Sequence, residues 1–281
     1  MAFASESSLP GDFLYPVKVE VVEPLMGMVS LTQESKSMWE IELTHRRYLE
    51  AWALVTEGEL KNSQVDSLLS HIEEHVEHAF RAIEKIEEGD GIEEALKMQS
   101  DLEATLQGHA QALDVLGQQG KQSTRLTKLS VRTRYLERRS ERIRESMEED
   151  LFQDTTVQLQ EIAEGEGSIL DARVQALHEE LENLDGQELL PETEECIVEI
   201  QEALDDVQDA LENGDYQEAY VRNQEGERMV TEVEVLLDLQ DAMASHEAAD
   251  EAITTEDGEQ EDENRREEEP VIPLESQSDL P

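Results

Sequence analysis

The stretch Asn62-Ser63-Gln64-Val65-Asp66-Ser67-Leu68-Leu69-Ser70-His71-Ile72-Glu73-Glu74-His75-Val76-Glu77-His78-Ala79-Phe80-Arg81-Ala82-Ile83-Glu84-Lys85-Ile86-Glu87 decides the fold. Val65, Leu68, Ile72, Val76, Ala79, Ile83 and Ile86 recur in steps of three and four. That spacing stacks side chains along one face of an α-helix, and the positions between them are mostly polar. Asn62 or Ser63 offers the cap, and Gly89-Asp90-Gly91 forces a turn. After the turn, Ile92, Ala95, Leu102, Leu106, His109, Leu113 and Leu116 repeat the pattern, so the pair reads as a helical hairpin.

The same reading extends in both directions. Upstream, Thr32 caps a helix running to about Thr56, with Met38, Ile41, Tyr48, Trp52 and Val55 on its buried face and Gly58 closing it. Before that, Pro16 suits the first turn of a short helix limited by Pro24 and Gly27. Downstream, Gly117 to Gly120 interrupts the chain, and Leu126, Leu129, Thr133, Leu136, Ser140, Ile143 and Met147 form a heptad-like seam with two small polar positions. Gly165 and Gly167 mark a break before the seam Leu170, Val174, Leu177, Leu181, Leu184. Pro191 opens a helix ended by Asn213-Gly214-Asp215, and the last helix uses Ala219, Met229, Val230, Val233, Leu236 and Leu237. The expected fold is all-α, an elongated antiparallel bundle of helical hairpins. Its expected parts are an N-terminal helical domain (1–118), a basic helix with C-terminal hairpins (119–245) and a disordered acidic tail (246–281).

Charge bounds the partners. The 281 residues hold 70 acidic and 22 basic side chains, a formal net charge of −48. Such a field repels nucleic acid and acidic lipid and attracts cations and basic proteins. With 37% hydrophobic and 4% aromatic residues, narrow seams between helices are expected rather than a thick core. Cys196 is the single cysteine, so no intramolecular disulfide forms, and Glu194, Glu195 and Glu199 suppress its thiolate; packing is its expected role. No stretch approaches the roughly 20 apolar residues of a membrane span. Ala2-Phe3-Ala4-Ser5 has the small-x-small pattern found at the outer edge of a signal or anchor, so an exported protein whose upstream anchor is missing from this chain is expected.

Two constellations carry chemistry. His71, Glu74, His75 and His78 share one helix, where imidazoles at i, i+4 and i+7 converge on a Zn²⁺, Ni²⁺ or Cu²⁺ ion. His71-Ile72-Glu73-Glu74-His75 also satisfies the H-x-x-E-H pattern of inverted zinc peptidases, with no other peptidase feature beside it. The second constellation is the basic run Arg125, Lys128, Arg132, Arg134, Arg138, Arg139, Arg142, Arg144. Glu137, Glu141 and Glu145 thread through it, which argues against a nucleic-acid surface and for ion pairing with facing acidic helices. No Ca²⁺ loop, phosphate-cradling glycine loop or nucleophile elbow is present, so no catalytic residue is nominated and no cofactor is expected beyond a divalent metal.

Ser8-Leu9-Pro10-Gly11-Asp12-Phe13-Leu14-Tyr15-Pro16-Val17-Lys18, with Arg46-Arg47-Tyr48-Leu49-Glu50-Ala51 after it, resembles an uncharacterised bacterial extracytoplasmic domain. That family's hallmark is a Leu-Pro-Gly-Asp-x-Leu-Tyr-Pro-x-Lys segment just outside a membrane anchor. The likeness covers roughly residues 5 to 116 and departs from the pattern at Glu20 to Pro24. It implies an all-helical, exported, often tethered protein, in some members joined to anti-sigma-factor-like regions, with no established ligand. The resulting expectation is a non-enzymatic binding or scaffold protein of a bacterial cell envelope that engages a protein partner or a second copy of itself. A transition-metal sensor or buffer, and the sensory half of an anti-sigma-like regulator, are the alternatives.

Overall fold

A computed structural model describes residues 8–56, 58, 60–89, 91–119, 123–154, 159–184 and 189–267, with side chains described as far as Asp241. All regular structure among them is helical. The chain enters through α-turns at Tyr15–Val17, a π-turn at Lys18–Val22 and further α-turns at Glu23–Gly27. Helical structure therefore continues past Pro24, contrary to the expected shortening. The wide π-turn ends just before it, and a proline in the first turn of the next piece breaks no intrahelical bond.

Helix α1 (Gln33–Thr56) starts where Thr32 Oγ1 accepts the Ser35 backbone N–H at 3.1 Å, the expected cap. Helix α2 (Asn62–Glu87) is capped one residue earlier than Asn62 or Ser63: Lys61 donates its backbone N–H to Gln64 Oε1 at 2.7 Å. A glutamine three residues into a helix reaches back this way, leaving Asn62 inside the first turn. Then follow α3 (Ile92–Gln119), α4 (Ser123–Asp154), α5 (Leu159–Asn183), α6 (Pro191–Asn213) and α7 (Tyr216–Glu267). Gly214, at φ +75°, closes α6 in the left-handed conformation that glycine adopts without penalty.

Helices α1 and α2 pair, and α3 and α4 form the most extensive pairing; α2 also lies along α3 and α4, and α1 touches α3. Tyr48 and Trp52 of α1 surround the fully buried His109 of α3, the Tyr48 ring stacked on it at 4.1 Å. Thr133 and Ser140, the small polar positions in the α4 seam, are bonding positions. Thr133 Oγ1 lies 2.8 Å from Tyr48 Oη, and the Gln99 side chain donates to the Ser140 carbonyl at 3.0 Å. A second cluster joins Leu170, Val174 and Leu177 of α5 to Cys196, Ile200 and Val207 of α6 and Val230, Val233 and Leu237 of α7.

Three seam readings need correction. Met38 is 58% exposed, and Ile41 and Val55 are only half-buried, because the buried side of α1 is shared between Tyr48 and Trp52 and the opposite residues Arg47, Glu50 and Leu54. Gly165 and Gly167 do not break the chain: α5 runs through both, and Gly167 packs beside Asn223 and Val207, where a small residue suits a helix crossing. Two mid-helix glycines absent from the sequence argument permit closer approach. A Cβ on Gly226 would meet Leu170 Cδ2 at 2.6 Å, and one on Gly108 would meet Val235 Cβ at 2.9 Å.

Contacts group the chain into Met1–Ala242 and Met243–Pro281. The division expected at 118/119 lies inside the first unit, at the C-terminal end of α3. Of the acidic tail expected over 246–281, the backbone is described to Glu267 as part of α7, and residues 268–281 lie outside the described residues.

Candidate functional site

The opening segment is locked to α1 by buried charge. Lys18 Nζ lies 2.7 Å from Glu50 Oε1, Tyr15 Oη donates to Glu50 Oε2 at 2.9 Å, and Arg47 donates to Tyr15 Oη at 2.8 Å and to Glu23. Gln64 of α2 donates its side chain to the Pro10 carbonyl. The two stretches that carry the family resemblance thus meet in one network. Burial, with Glu50 adding, raises the Tyr15 pKa, so Tyr15 remains a neutral link between the two charges.

The basic helix α4 faces two acidic neighbours. Toward α2, Lys128 pairs with Asp66, Arg132 with Glu73 and Arg139 with Glu77, and Arg125 donates to Asn62 Oδ1 at 3.1 Å. Toward α3, Arg134 pairs with Asp114, and Arg144 Nε lies 2.8 Å from Glu103 Oε2. Arg138 and Arg142 are exposed. The Arg144 pair is the buried one, with Glu148 and Arg228 around it. Burial lifts the Glu103 carboxyl above its ordinary range against the pull of Arg144.

The histidines divide. His75 Nδ1 lies 2.7 Å and His78 Nδ1 3.3 Å from the two carboxylate oxygens of Glu40, which comes from α1. His71 turns away toward Tyr15, its ring 6.3 Å from the tyrosine ring, and burial with the Arg47 charge lowers its pKa. Glu74 is exposed. Of the four sequence candidates the structure therefore joins two, His75 and His78, and completes the group with Glu40, 35 residues upstream of His75. His109 is a neutral core residue: it lies 3.0 Å from His45 Nδ1, and burial followed by the His45 charge holds its pKa well below the ordinary value. Burial, with Glu232, Glu199 and Glu195 adding, pushes the Cys196 thiol up to about 12, so it is not a thiolate at neutral pH.

A cleft of about 770 Å³ opens where the N-terminal half of α1 meets α3, α5 and α7. Met38, Trp39, Ile41, Ile169 and Val235 give it apolar walls. Six carboxylates, Glu42, Asp101, Glu166, Glu227, Glu234 and Asp238, face Lys97, Arg173 and His45. Arg173 is held by Glu227 and, at 2.9 Å, by Glu234 Oε2, and His45 lies 3.2 Å from Asp238. Burial pushes the Asp101 carboxyl up to about 6 against Arg173 and Lys97, with Glu227 and Glu234 adding to the rise. Beside the cleft, Leu25, Met26, Met28, Val29 and Leu31 are exposed. The run Leu25-Met26-Gly27-Met28-Val29-Ser30-Leu31 is readable in the sequence as apolar residues belonging to no seam; the carboxylates across α3, α5 and α7 have no such local signal.

No protein-family model, curated protein or solved structure matches the chain.

Proposed function

We propose that this chain is a non-enzymatic binding and scaffold module of a bacterial cell envelope, and that its cleft receives a basic, amphipathic segment of a partner protein. The carrying observation is the composition of the cleft wall. Six carboxylates outnumber two fixed cations and one histidine around an apolar floor, with the exposed Leu25–Leu31 run at its edge. An amphipathic helix with lysines or arginines along its polar face matches both properties. The ion pairs of Arg173 and the contact of His45 with Asp238 hold the wall in shape before a partner arrives, which lowers the cost of binding. Display outside the membrane is supported by the resemblance of Leu9–Lys18 to the extracytoplasmic family.

Binding of a fluorescent Lys/Leu amphipathic peptide, followed by polarisation, tests this reading. The double variant Glu234→Lys/Asp238→Lys should weaken binding about tenfold or more, and Glu202→Lys/Asp205→Lys on the exposed face of α6, with the same change in net charge, should weaken it far less. Equal losses would reduce the interaction to attraction by the whole anionic surface and end the proposal.

A further inference from the structure

We infer that Glu40, His75 and His78 form a binding site for one divalent transition-metal ion, with Zn²⁺ the best match. This site is independent of the cleft partner. Glu40 lies between Trp39 and Ile41, which line the cleft, yet its carboxylate is bonded to α2 instead. His75 and His78 stand three residues apart, adjacent on the helix surface, and the α1–α2 pairing brings Glu40 across to both.

The distances suit an ion. One ligand atom from each of the three residues lies within 4.8 Å of the others. In a tetrahedral zinc site with bonds of about 2.0 Å, ligand atoms are about 3.3 Å apart. The Nδ1 to carboxylate separations of 2.7 and 3.3 Å lie below and at that edge, each to its own oxygen of Glu40, so closure on an ion requires small torsional adjustments of half-buried side chains. Two imidazoles and a carboxylate leave a fourth position for water, and His78, with a 40% exposed side chain, leaves the group open to solvent. Nitrogen ligands favour Zn²⁺, Ni²⁺ and Cu²⁺ over Mg²⁺ and Ca²⁺, and the surrounding anionic surface concentrates cations of every kind. Binding through Nδ1 requires the tautomer whose imidazole proton sits on Nε2. His75 Nε2 is buried with no hydrogen-bond partner. A metal-bound imidazole without an outer acceptor binds about 10 to 100 times more weakly than a supported one, which puts the expected affinity in the micromolar range rather than the nanomolar.

Calorimetric titration of the chelator-treated full chain with ZnCl₂, in excess MgCl₂ to occupy diffuse carboxylate sites, tests the site. One ion per chain is expected, with affinity falling about tenfold or more in His75→Gln, His78→Gln and Glu40→Gln and unchanged in His71→Gln. Circular dichroism verifies that each variant keeps its helix content, and Co²⁺ absorption in the visible supplies a tetrahedral signature independent of heat. Absence of saturable zinc binding at about 100 µM, full competition by Mg²⁺, or binding unchanged by Glu40→Gln would overturn the assignment. Peptide binding by the cleft would survive any of these results.

Discussion

Replacing Glu232 by glutamine should stabilise the protein in alkaline solution and leave it nearly unchanged in mild acid. Glu232 lies on α7, 5% exposed, and accepts a hydrogen bond from Gln107 Nε2 of α3 at 3.0 Å. Burial, with Glu199 and Glu137 adding, raises its pKa to about 7, and a hydrogen bond with Cys196 opposes the rise. A folded-state pKa above the ordinary carboxyl value of 4.5 means that the fold favours the protonated form. Its contribution is complete below about pH 4.5 and is lost as pH rises through about 7. The difference between 4.5 and about 7 corresponds to about 3 kcal/mol, an upper figure for a carboxyl beside other acids. Glutamine cannot ionise and still offers an oxygen to Gln107. Urea unfolding followed by far-UV circular dichroism should therefore find wild type and Glu232→Gln within about 1 kcal/mol at pH 5, and the variant more stable by about 2–3 kcal/mol at pH 8.5. Because the two proteins share every other carboxyl, the change in their difference isolates this one. A difference independent of pH, or one favouring wild type at high pH, would refute the reasoning.

Burial also ranks the ion pairs. Arg144→Met leaves the buried Glu103 with only the longer 3.8 Å contact to Arg228 and should cost about 2–4 kcal/mol in chemical denaturation, whereas Arg132→Ala, whose partner Glu73 is solvated, should cost about 1 kcal/mol or less. Gly226→Ala forces a methyl against Leu170 and should cost about 1–3 kcal/mol, while Gly165→Ala, with open space at its Cβ, should add about 0.5–1 kcal/mol. Thermal melts of the two glycine variants should therefore move in opposite directions. Tyr15→Phe removes the bridge between Arg47 and Glu50 and should cost about 1–3 kcal/mol, with faster proteolysis near the N-terminus as the second measurement.

Local periodicity carries the helices well, and its failures are informative. The α2 seam is buried as its spacing indicates, at Val65, Leu68, Ile72, Val76, Ala79, Ile83 and Ile86. A seven-residue stripe in one sequence specifies which face of a helix seeks cover. It does not specify how far that cover extends, which is why Met38 and Ile41 continue the α1 stripe yet end at an open cleft. Gly165 and Gly167 mislead for a related reason: helix propensity disfavours them, and packing of α5 against α6 and α7 overrides that modest cost.

The site residues separate along the same line. A basic helix among acidic ones is visible in composition, so ion pairing for α4 can be anticipated, but the division of its partners between α2 and α3 follows from how the helices lie together. His75 and His78 are adjacent through their position on one helix, and nothing in their neighbourhood names Glu40; the alignment of α1 against α2 brings it there. Asp101 and Glu232 look like any other carboxyls of an acidic chain, and their shifted protonation exists because neighbouring helices remove water from around them. Backbone geometry acts over three or four residues and can be read from spacing, while register, depth and desolvation depend on atoms tens of residues away and arise only once the helices pack.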